Sequence, residues 1–146
     1  MIGIDLDEVV RRTGADVIVR DDTKEIKSFS IDSRTIKSSD FFIAIKGKNH
    51  DGHDHIAAAI DKGAYGIIAE RPVDDRLMVR VKNYIIVPDT SKAMWQIAGL
   101  LRSKVNIPFV CITGTNGKTT VKELLAHILS DRFDVLKTPE SFNNRI

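Results

Sequence analysis

The sequence predicts an α/β protein in two parts: a small N-terminal α/β domain, then the first part of a phosphate-loop α/β domain. Short apolar stretches alternate with helix-like segments at the spacing of parallel strand–helix–strand units. An apolar stretch, a glycine-rich loop and an amphipathic segment then follow one another between residues 109 and 129. We place the domain boundary near Asp89, giving domains 1–89 and 90–146, and leave the range up to Asn106 open.

The first part begins with a helix signal. Asp5 and Glu8 form the pattern of a capping box, and Gly14 is placed to end the short helix that follows. An alanine-rich segment at residues 56–60 predicts a second short helix, with Gly63 at its C-terminal end. Apolar stretches predict strands at residues 17–19, 26–31, 41–45, 65–69 and 84–87.

The second part begins with a helix from residue 90 to about residue 104, capped by Asp89 or Thr90. Met94 and Trp95 belong to this helix, and we expect both to pack in the core. Further along the chain, the apolar pattern predicts strands at residues 109–112 and 133–136 and a helix at residues 118–129.

The composition is that of a soluble globular protein, with 42% hydrophobic and 29% charged residues. Its 22 basic and 20 acidic residues are interspersed, so no nucleic-acid partner is expected. No apolar stretch approaches the roughly 18 residues of a membrane span, and the N-terminus lacks a signal-peptide pattern. We therefore expect a cytoplasmic protein in which the one cysteine, Cys111, packs as a small hydrophobic residue.

The glycine-rich loop is the strongest functional signal. Its glycines let consecutive backbone N–H groups turn towards an anion, and the helix N-terminus adds partial positive charge. Lys118 is the predicted catalytic residue, reaching the β- and γ-phosphates of ATP, and the Thr119 hydroxyl is the predicted Mg²⁺ ligand. A plain strand-to-helix turn with an exposed lysine is the alternative, but the flanking elements favour phosphate binding. The predicted nucleotide-binding residues are Gly114, Thr115, Asn116, Gly117, Lys118, Thr119 and Thr120.

Residues 113–120 resemble the nucleotide loop of the Mur ligase family, which lacks the first glycine of the common phosphate loop, as this chain does at Ile112. Residues 32–34, 40–47 and 51–53 resemble the N-terminal domain of the members that add the third and later peptide residues. The chain departs from that pattern at residues 38–39, where two serines replace Pro-Gly and alter the turn. The resemblance implies that the second part is the family's central ATP-binding domain and that the first part is a substrate-binding domain for the UDP end of a sugar–peptide.

The resemblance also implies the substrate-side residues. Ile31 and Ser33 are expected to contact uridine, and Arg34 to position the pocket, although residues 32–34 could by themselves be a plain turn with a solvated arginine. The loop at residues 48–50 is expected to approach the uridine or the diphosphate. The full substrate-binding set is Ile31, Ser33, Arg34, Lys48, Asn49, His50 and, in a segment that could also be a polar turn, Asn144.

Family members differ in the group that they add. Residues 120–123 and 136–146 resemble the member that joins D-alanyl-D-alanine to UDP-N-acetylmuramoyl-tripeptide at the expense of ATP. The resemblance implies that the substrate carboxylate attacks the γ-phosphate and that the dipeptide amine displaces the resulting acyl phosphate. Two alternatives remain: the ligase that adds the third residue, and a non-catalytic module that binds a UDP-sugar.

The matched part of such an enzyme ends before most of the central domain, so we expect the 146-residue chain to be catalytically inactive alone. The oligomeric state is open, with a monomer as the working expectation. His50, Asp51, His53, Asp54 and His55 crowd one loop, but their spacing is not that of a zinc site, and a polar turn is favoured over a metal site.

Overall fold

The computed structural model describes residues 3–22, 25–47 and 50–139. The chain divides into two compact units, Met1–Asn106 and Ile107–Ile146. The strands of the first unit are β1 (Ile4–Asp5), β2 (Asp16–Val19), β3 (Glu25–Ile26), β4 (Ser28–Ser30), β5 (Asp40–Ile43), β6 (Gly66–Ala69) and β7 (Asn83–Ile86). Its helices are α1 (Leu6–Thr13), α2 (Ile56–Asp61), α3 (Asp75–Met78) and α4 (Thr90–Ser103), with a 3-10 helix at Gly52–His55.

The first unit is built on a five-stranded sheet with the order β2-β7-β6-β5-β4. Strands β4 to β7 run parallel, while β2 pairs with β7 in the antiparallel direction at one edge. Strands β1 and β3 form a separate antiparallel pair. The parallel strand–helix–strand arrangement expected from the sequence is therefore confirmed.

Both faces of the sheet are covered by helices, which explains why the central strands are apolar throughout. On one face, Phe41 and Ile43 of β5 pack in the same cluster as Ala93 and Ile97 of α4. On the other face, Phe42 packs with residues of α2 in a second cluster. Successive residues of a strand point to opposite faces, so a single apolar stretch serves both cores.

Helix α1 confirms the capping signals that the sequence carries. The Asp5 carboxylate accepts hydrogen bonds from the backbone N–H groups of Asp7 and Glu8. At the other end, Gly14 adopts φ 67° and its N–H donates to the Val10 carbonyl. A left-handed residue at this position satisfies a terminal carbonyl of the helix, and glycine is the residue that does so without strain.

Helix α4 belongs to the first compact unit, because its buried face shares a core with α1 and the sheet. The units therefore divide at Asn106, which is the far end of the range that the sequence left open. Met94 packs against this core as expected. The expectation for Trp95 was wrong: its side chain lies on the outer side of the helix and is 61% exposed.

One local prediction needed correction in the first unit, and two features were not foreseen. Residues 26–31 do not form one strand, because the chain breaks at Lys27 and passes from the β1–β3 pair to the main sheet. The four-residue helix α3, capped by Asp74, is too short and too polar to show an apolar period. The antiparallel edge strand β2 was expected as a strand, but its direction was not foreseen.

The second unit contains helix α5 (Lys118–Ser130), close to the predicted bounds. The strands predicted at residues 109–112 and 133–136 are not formed in the described part of this unit. Phe109, Val110 and Phe133 are accordingly exposed. Cys111 is also exposed, which corrects the expectation that it packs in a core.

No helix within the described residues is long and apolar enough to span a membrane.

Gly66 offers a test of the core packing. A methyl group at this position would overlap the ring of Phe41, which itself packs against Phe29 and Tyr65. Gly66→Ala is therefore expected to lower the free energy of unfolding by about 2–3 kcal/mol, as overpacking of a tight core does. Urea denaturation measures this change.

Gly99→Ala is the matched control. A methyl group at this position of α4 meets no atom within 4 Å, and alanine favours the helix. We expect this variant to gain about 0.5–1 kcal/mol of stability. Equal stability of the two variants would contradict the packing described around Phe41.

Candidate functional site

The glycine-rich loop precedes α5 and takes its shape from two glycines. Gly117 lies at the helix N-terminus with φ 76° and ψ 0°, and Gly114 has φ 152°. Backbone of this kind is costly for residues with a side chain, so glycine is required at both positions. No described side chain caps the helix, so the N–H groups of its first turn are available to an anion.

Lys118 lies across this loop. Its Nζ donates a hydrogen bond to the Gly114 carbonyl at 2.7 Å and lies 3.4 Å from the Thr115 carbonyl. An ammonium group has three N–H donors, so these neutral partners leave it both its charge and the capacity for a further acceptor. The structure therefore places the Lys118 ammonium group beside a loop whose backbone N–H groups favour anions.

The remaining loop residues present small polar groups. Thr115, Asn116, Thr119 and Thr120 are exposed, and the two last belong to the first turn of α5. A threonine hydroxyl is a hard oxygen donor, and Mg²⁺ in nucleotide sites takes few protein ligands besides phosphate oxygens and water. Thr119 therefore fits the predicted role. Within the described residues, no group of three or more His, Cys, Asp or Glu side chains could hold a metal ion by itself.

A second candidate site lies in the first unit, where the parallel strands β4 to β7 end. Ligands of open α/β sheets bind beyond the carboxyl ends of the strands. Ile31 directly follows β4 and is 50% exposed, whereas Ser33 is buried. An exposed apolar side chain at this edge is available to stack against a planar ligand group.

Arg34 forms an ion pair with Asp32. Its Nε and its terminal nitrogen donate to the two Asp32 oxygens at 2.9 and 2.8 Å, and its backbone N–H donates to the same carboxylate at 2.9 Å. These bonds, the side-chain bonds first, lower the pKa of Asp32 to about 2. The Arg34 side chain is nevertheless 85% exposed. The local turn and an accessible guanidinium are therefore both present.

His50 also lies at this edge and is exposed. Its carbonyl accepts a hydrogen bond from the Gly47 N–H at 2.8 Å. The backbone of the neighbouring Asp51 forms an isolated antiparallel β-bridge with that of Lys46. Of the other predicted substrate-binding residues, Lys48, Asn49 and Asn144 lie outside the described residues.

Behind His50 lies a network that the sequence did not reveal. His53 is buried between the carboxylate of Asp51 and the backbone N–H of Glu70, and Glu70 in turn contacts Thr90. In the sequence, Asp51 and His53 belong to the segment that resembles the Mur ligase family, and Thr90 was one of two predicted helix caps. Glu70 carried no signal, because only the strand order brings it next to residues that are 17 to 20 positions away.

Asp51 provides a pH test of this network. The backbone N–H of His53 donates to its carboxylate at 2.9 Å, and this bond, aided by the His53 ring and Arg71 against the opposing effect of burial, lowers the pKa of Asp51 from 3.8 to about 2. A lowered pKa means that the folded protein favours the carboxylate, so its contribution is complete above about pH 4 and is lost towards pH 2.

Asp51→Asn is therefore expected to cost about 1–2 kcal/mol of unfolding free energy at pH 7, and the difference from wild type should narrow between pH 4 and pH 2. Urea denaturation across this range measures it. Asp54→Asn, an exposed position of the same 3-10 helix, is the control and should change stability by less than about 0.5 kcal/mol. A difference that does not depend on pH would contradict the assigned bonds.

The second unit has a glycine loop before a helix N-terminus that no described side chain caps, and the first unit has a sheet covered by helices on both faces. Comparison with known proteins gives the family. The Mur ligase catalytic-domain model matches residues 25–101, and the Mur ligase middle-domain model matches residues 112–146. The chain belongs to the Mur ligase family.

Individual relatives include two kinds of ligase. The chain is 37% identical to UDP-N-acetylmuramoyl-tripeptide–D-alanyl-D-alanine ligase of Synechocystis over 83% of its length and 26% of the relative. It is 40% identical to UDP-N-acetylmuramoyl-L-alanyl-D-glutamate–2,6-diaminopimelate ligase of Aquifex aeolicus over 73% of its length and 21% of the relative. The chain thus spans about a quarter of the length of these relatives.

Solved structures of the family are similar as well. A crystal structure of MurF from Acinetobacter baumannii matches with a TM-score of 0.84 and 30% identity, covering 99% of this chain and 31% of that one. MurF of Thermotoga maritima, solved in complex with ADP, matches with a TM-score of 0.69 and 33% identity, covering 82% of this chain and 27% of that one.

Proposed function

We propose that the chain is the substrate- and nucleotide-binding front part of an ATP-dependent amide-bond ligase of peptidoglycan precursor synthesis. The observation that carries this proposal is the loop before α5, where two left-handed glycines, an uncapped helix N-terminus and Lys118 converge. These are the features that bind the phosphates of a nucleotide. The ADP complex of the Thermotoga maritima relative supports the same assignment.

In this proposal each loop residue has a defined role. The backbone N–H groups of Gly114, Thr115, Asn116 and Gly117, and those of the first turn of α5, bind the phosphates of ATP. Lys118 offsets the charge that builds on the transferred phosphoryl group. The Thr119 hydroxyl would be one ligand of Mg²⁺, which when bound neutralises phosphate charge, and Thr120 completes the first turn.

On the substrate side, we propose that the carboxyl edge of the first unit binds the UDP end of a UDP-N-acetylmuramoyl-peptide. The exposed Ile31 supplies an apolar surface for the uracil ring, and Ser33 supports the turn beneath it. Arg34 offers a planar guanidinium to the diphosphate, and His50 offers a polar group. The division into a UDP-substrate domain and an ATP-binding domain is part of the same proposal, with the boundary moved from residue 89 to Asn106, where the compact units divide.

The group that the enzyme adds is proposed to be D-alanyl-D-alanine, joined to UDP-N-acetylmuramoyl-tripeptide. The Synechocystis ligase of this kind aligns over more of the chain than the diaminopimelate ligase does, and the Acinetobacter baumannii MurF matches nearly all of it. The second candidate is a ligase that adds the third peptide residue, which the 40% identity to the Aquifex aeolicus enzyme favours.

Calorimetry on the full-length gene product separates the two candidates. UDP-N-acetylmuramoyl-tripeptide is expected to bind at least ~10-fold more tightly than the dipeptide form, because the site must accommodate the third residue before D-alanyl-D-alanine is added. Preferential binding of the dipeptide form would instead identify a ligase that adds the third residue.

A further inference from the structure

His53 is a buried histidine with both ring nitrogens engaged. Its side chain is 3% exposed, its Nδ1 lies 2.6 Å from an Asp51 carboxylate oxygen, and its Nε2 accepts the backbone N–H of Glu70 at 2.9 Å. A backbone N–H can only donate, so Nε2 carries no proton. The ring proton therefore lies on Nδ1 and is donated to Asp51.

The contacts of His53 continue across the sheet edge. One Glu70 carboxylate oxygen accepts hydrogen bonds from the backbone N–H and the hydroxyl of Thr90, each at 2.9 Å. Thr90 is fully buried and begins helix α4. The segments that follow β5, β6 and β7 are thus joined by one chain of hydrogen bonds, with His53 as the link to the segment at residues 50–52.

We propose that His53 is a positioning residue for substrate binding, and that its Nδ1–H bond to Asp51 holds residues 50–52 in the orientation that presents His50 to the UDP end. This inference rests on the proposed function of the carboxyl edge. Within the described residues, the ring of His53 contacts this segment through Asp51. Without the bond, the Asp51 carboxylate keeps only the His53 backbone N–H and Arg71 as donors, so part of the order of the segment must be recovered when the ligand binds, which weakens affinity.

Two variants of His53 separate positioning from stability. In His53→Asn, the side-chain amide nitrogen takes roughly the place of Nδ1 and can donate to Asp51, but the side chain is too short for the Glu70 N–H. In His53→Gln, the amide oxygen takes roughly the place of Nε2 and can accept from Glu70, but the donor to Asp51 is lost. His53→Asn leaves the backbone N–H of Glu70 without its acceptor, whereas in His53→Gln the Asp51 carboxylate keeps the His53 backbone N–H and Arg71 as donors. His53→Asn should therefore be the less stable of the two variants.

The measurement is the Kd of UDP-N-acetylmuramoyl-tripeptide for the wild-type chain and both variants, with unfolding free energies determined in parallel. His53→Gln is expected to raise Kd by ~10-fold and His53→Asn by less than ~3-fold, although His53→Asn should be the less stable variant. Equal Kd values for the two variants, or Kd changes that follow stability alone, would overturn the proposal.

Amide hydrogen exchange supplies a readout that does not depend on the ligand. The Gly47 N–H, which donates to the His50 carbonyl, should exchange faster in His53→Gln than in His53→Asn. If the wild-type chain binds no UDP-sugar, the proposed function fails, and the exchange rates still decide whether His53 holds the segment. Equal exchange at Gly47 in both variants would show that it does not.

Discussion

Lys118→Ala is expected to reduce ligase turnover of the full-length protein by roughly 100- to 1,000-fold, as loss of a donor that stabilises developing charge does. The Lys118 ammonium lies 2.7 Å from the Gly114 carbonyl, at the mouth of the phosphate loop. Its removal leaves the backbone N–H groups of the loop in place, so nucleotide affinity should fall less than turnover. Steady-state kinetics with both substrates, together with the Kd of ATP, measures the two effects.

The control for this experiment is Lys137→Ala. It removes the same charge from the same unit, but Lys137 is paired with Glu123 away from the loop. Exposed ion pairs contribute at most about 1 kcal/mol, so turnover should stay within about 2-fold of wild type. Similar losses in the two variants would mean that the net charge of the unit matters and that the position of Lys118 does not.

Gly52→Ala is expected to have the second large effect. A methyl group here would lie 2.7 and 2.8 Å from the backbone nitrogen and oxygen of Ile45, and 2.9 Å from the carbonyl carbon of Ala44. These backbone atoms belong to the buried segment that directly follows β5 and cannot move aside. We expect a loss of about 3 kcal/mol in unfolding free energy and weaker binding of UDP-N-acetylmuramoyl-tripeptide, because residues 50–52 must shift.

Gly47→Ala is the control, because it adds a methyl group to the same loop with a smaller steric clash. Its methyl group would lie 3.3 Å from the His50 carbonyl oxygen, a contact that a shift of a few tenths of an ångström relieves. The expected loss is below about 1 kcal/mol, measured by the same urea denaturation. If both variants were equally stable, the close approach of Gly52 to Ile45 would be incorrect.

Much of the first unit follows from local sequence rules. Asp5 and Gly14 define both ends of α1, and the apolar residues 41–45 identify a strand that is buried on both faces. The phosphate loop was also recognisable, because its glycines and Lys118 are adjacent in sequence. Signals of this kind depend on a few neighbouring residues, so they can be recognised in the sequence without knowledge of the fold.

Features that depend on distant partners could not be obtained this way. The bond between His53 and Glu70 joins two segments that meet only because β5 and β6 are neighbours in the sheet. The apolar pattern at residues 109–112 predicts a strand, but the pattern does not say which strand pairs with it. Likewise, Trp95 was expected in the core, but α4 buries Ala93 and Ile97 and leaves Trp95 exposed.

The most direct test of the proposed function is product analysis by mass spectrometry. The full-length protein, supplied with ATP, Mg²⁺, UDP-N-acetylmuramoyl-tripeptide and D-alanyl-D-alanine, is expected to yield UDP-N-acetylmuramoyl-pentapeptide together with ADP and phosphate. Wild-type protein should form this product and Lys118→Ala should form almost none. Formation of a tripeptide from the dipeptide precursor and a free amino acid, with no pentapeptide, would contradict the proposed substrate, and the absence of any ATP-dependent product would contradict the proposed ligase activity itself.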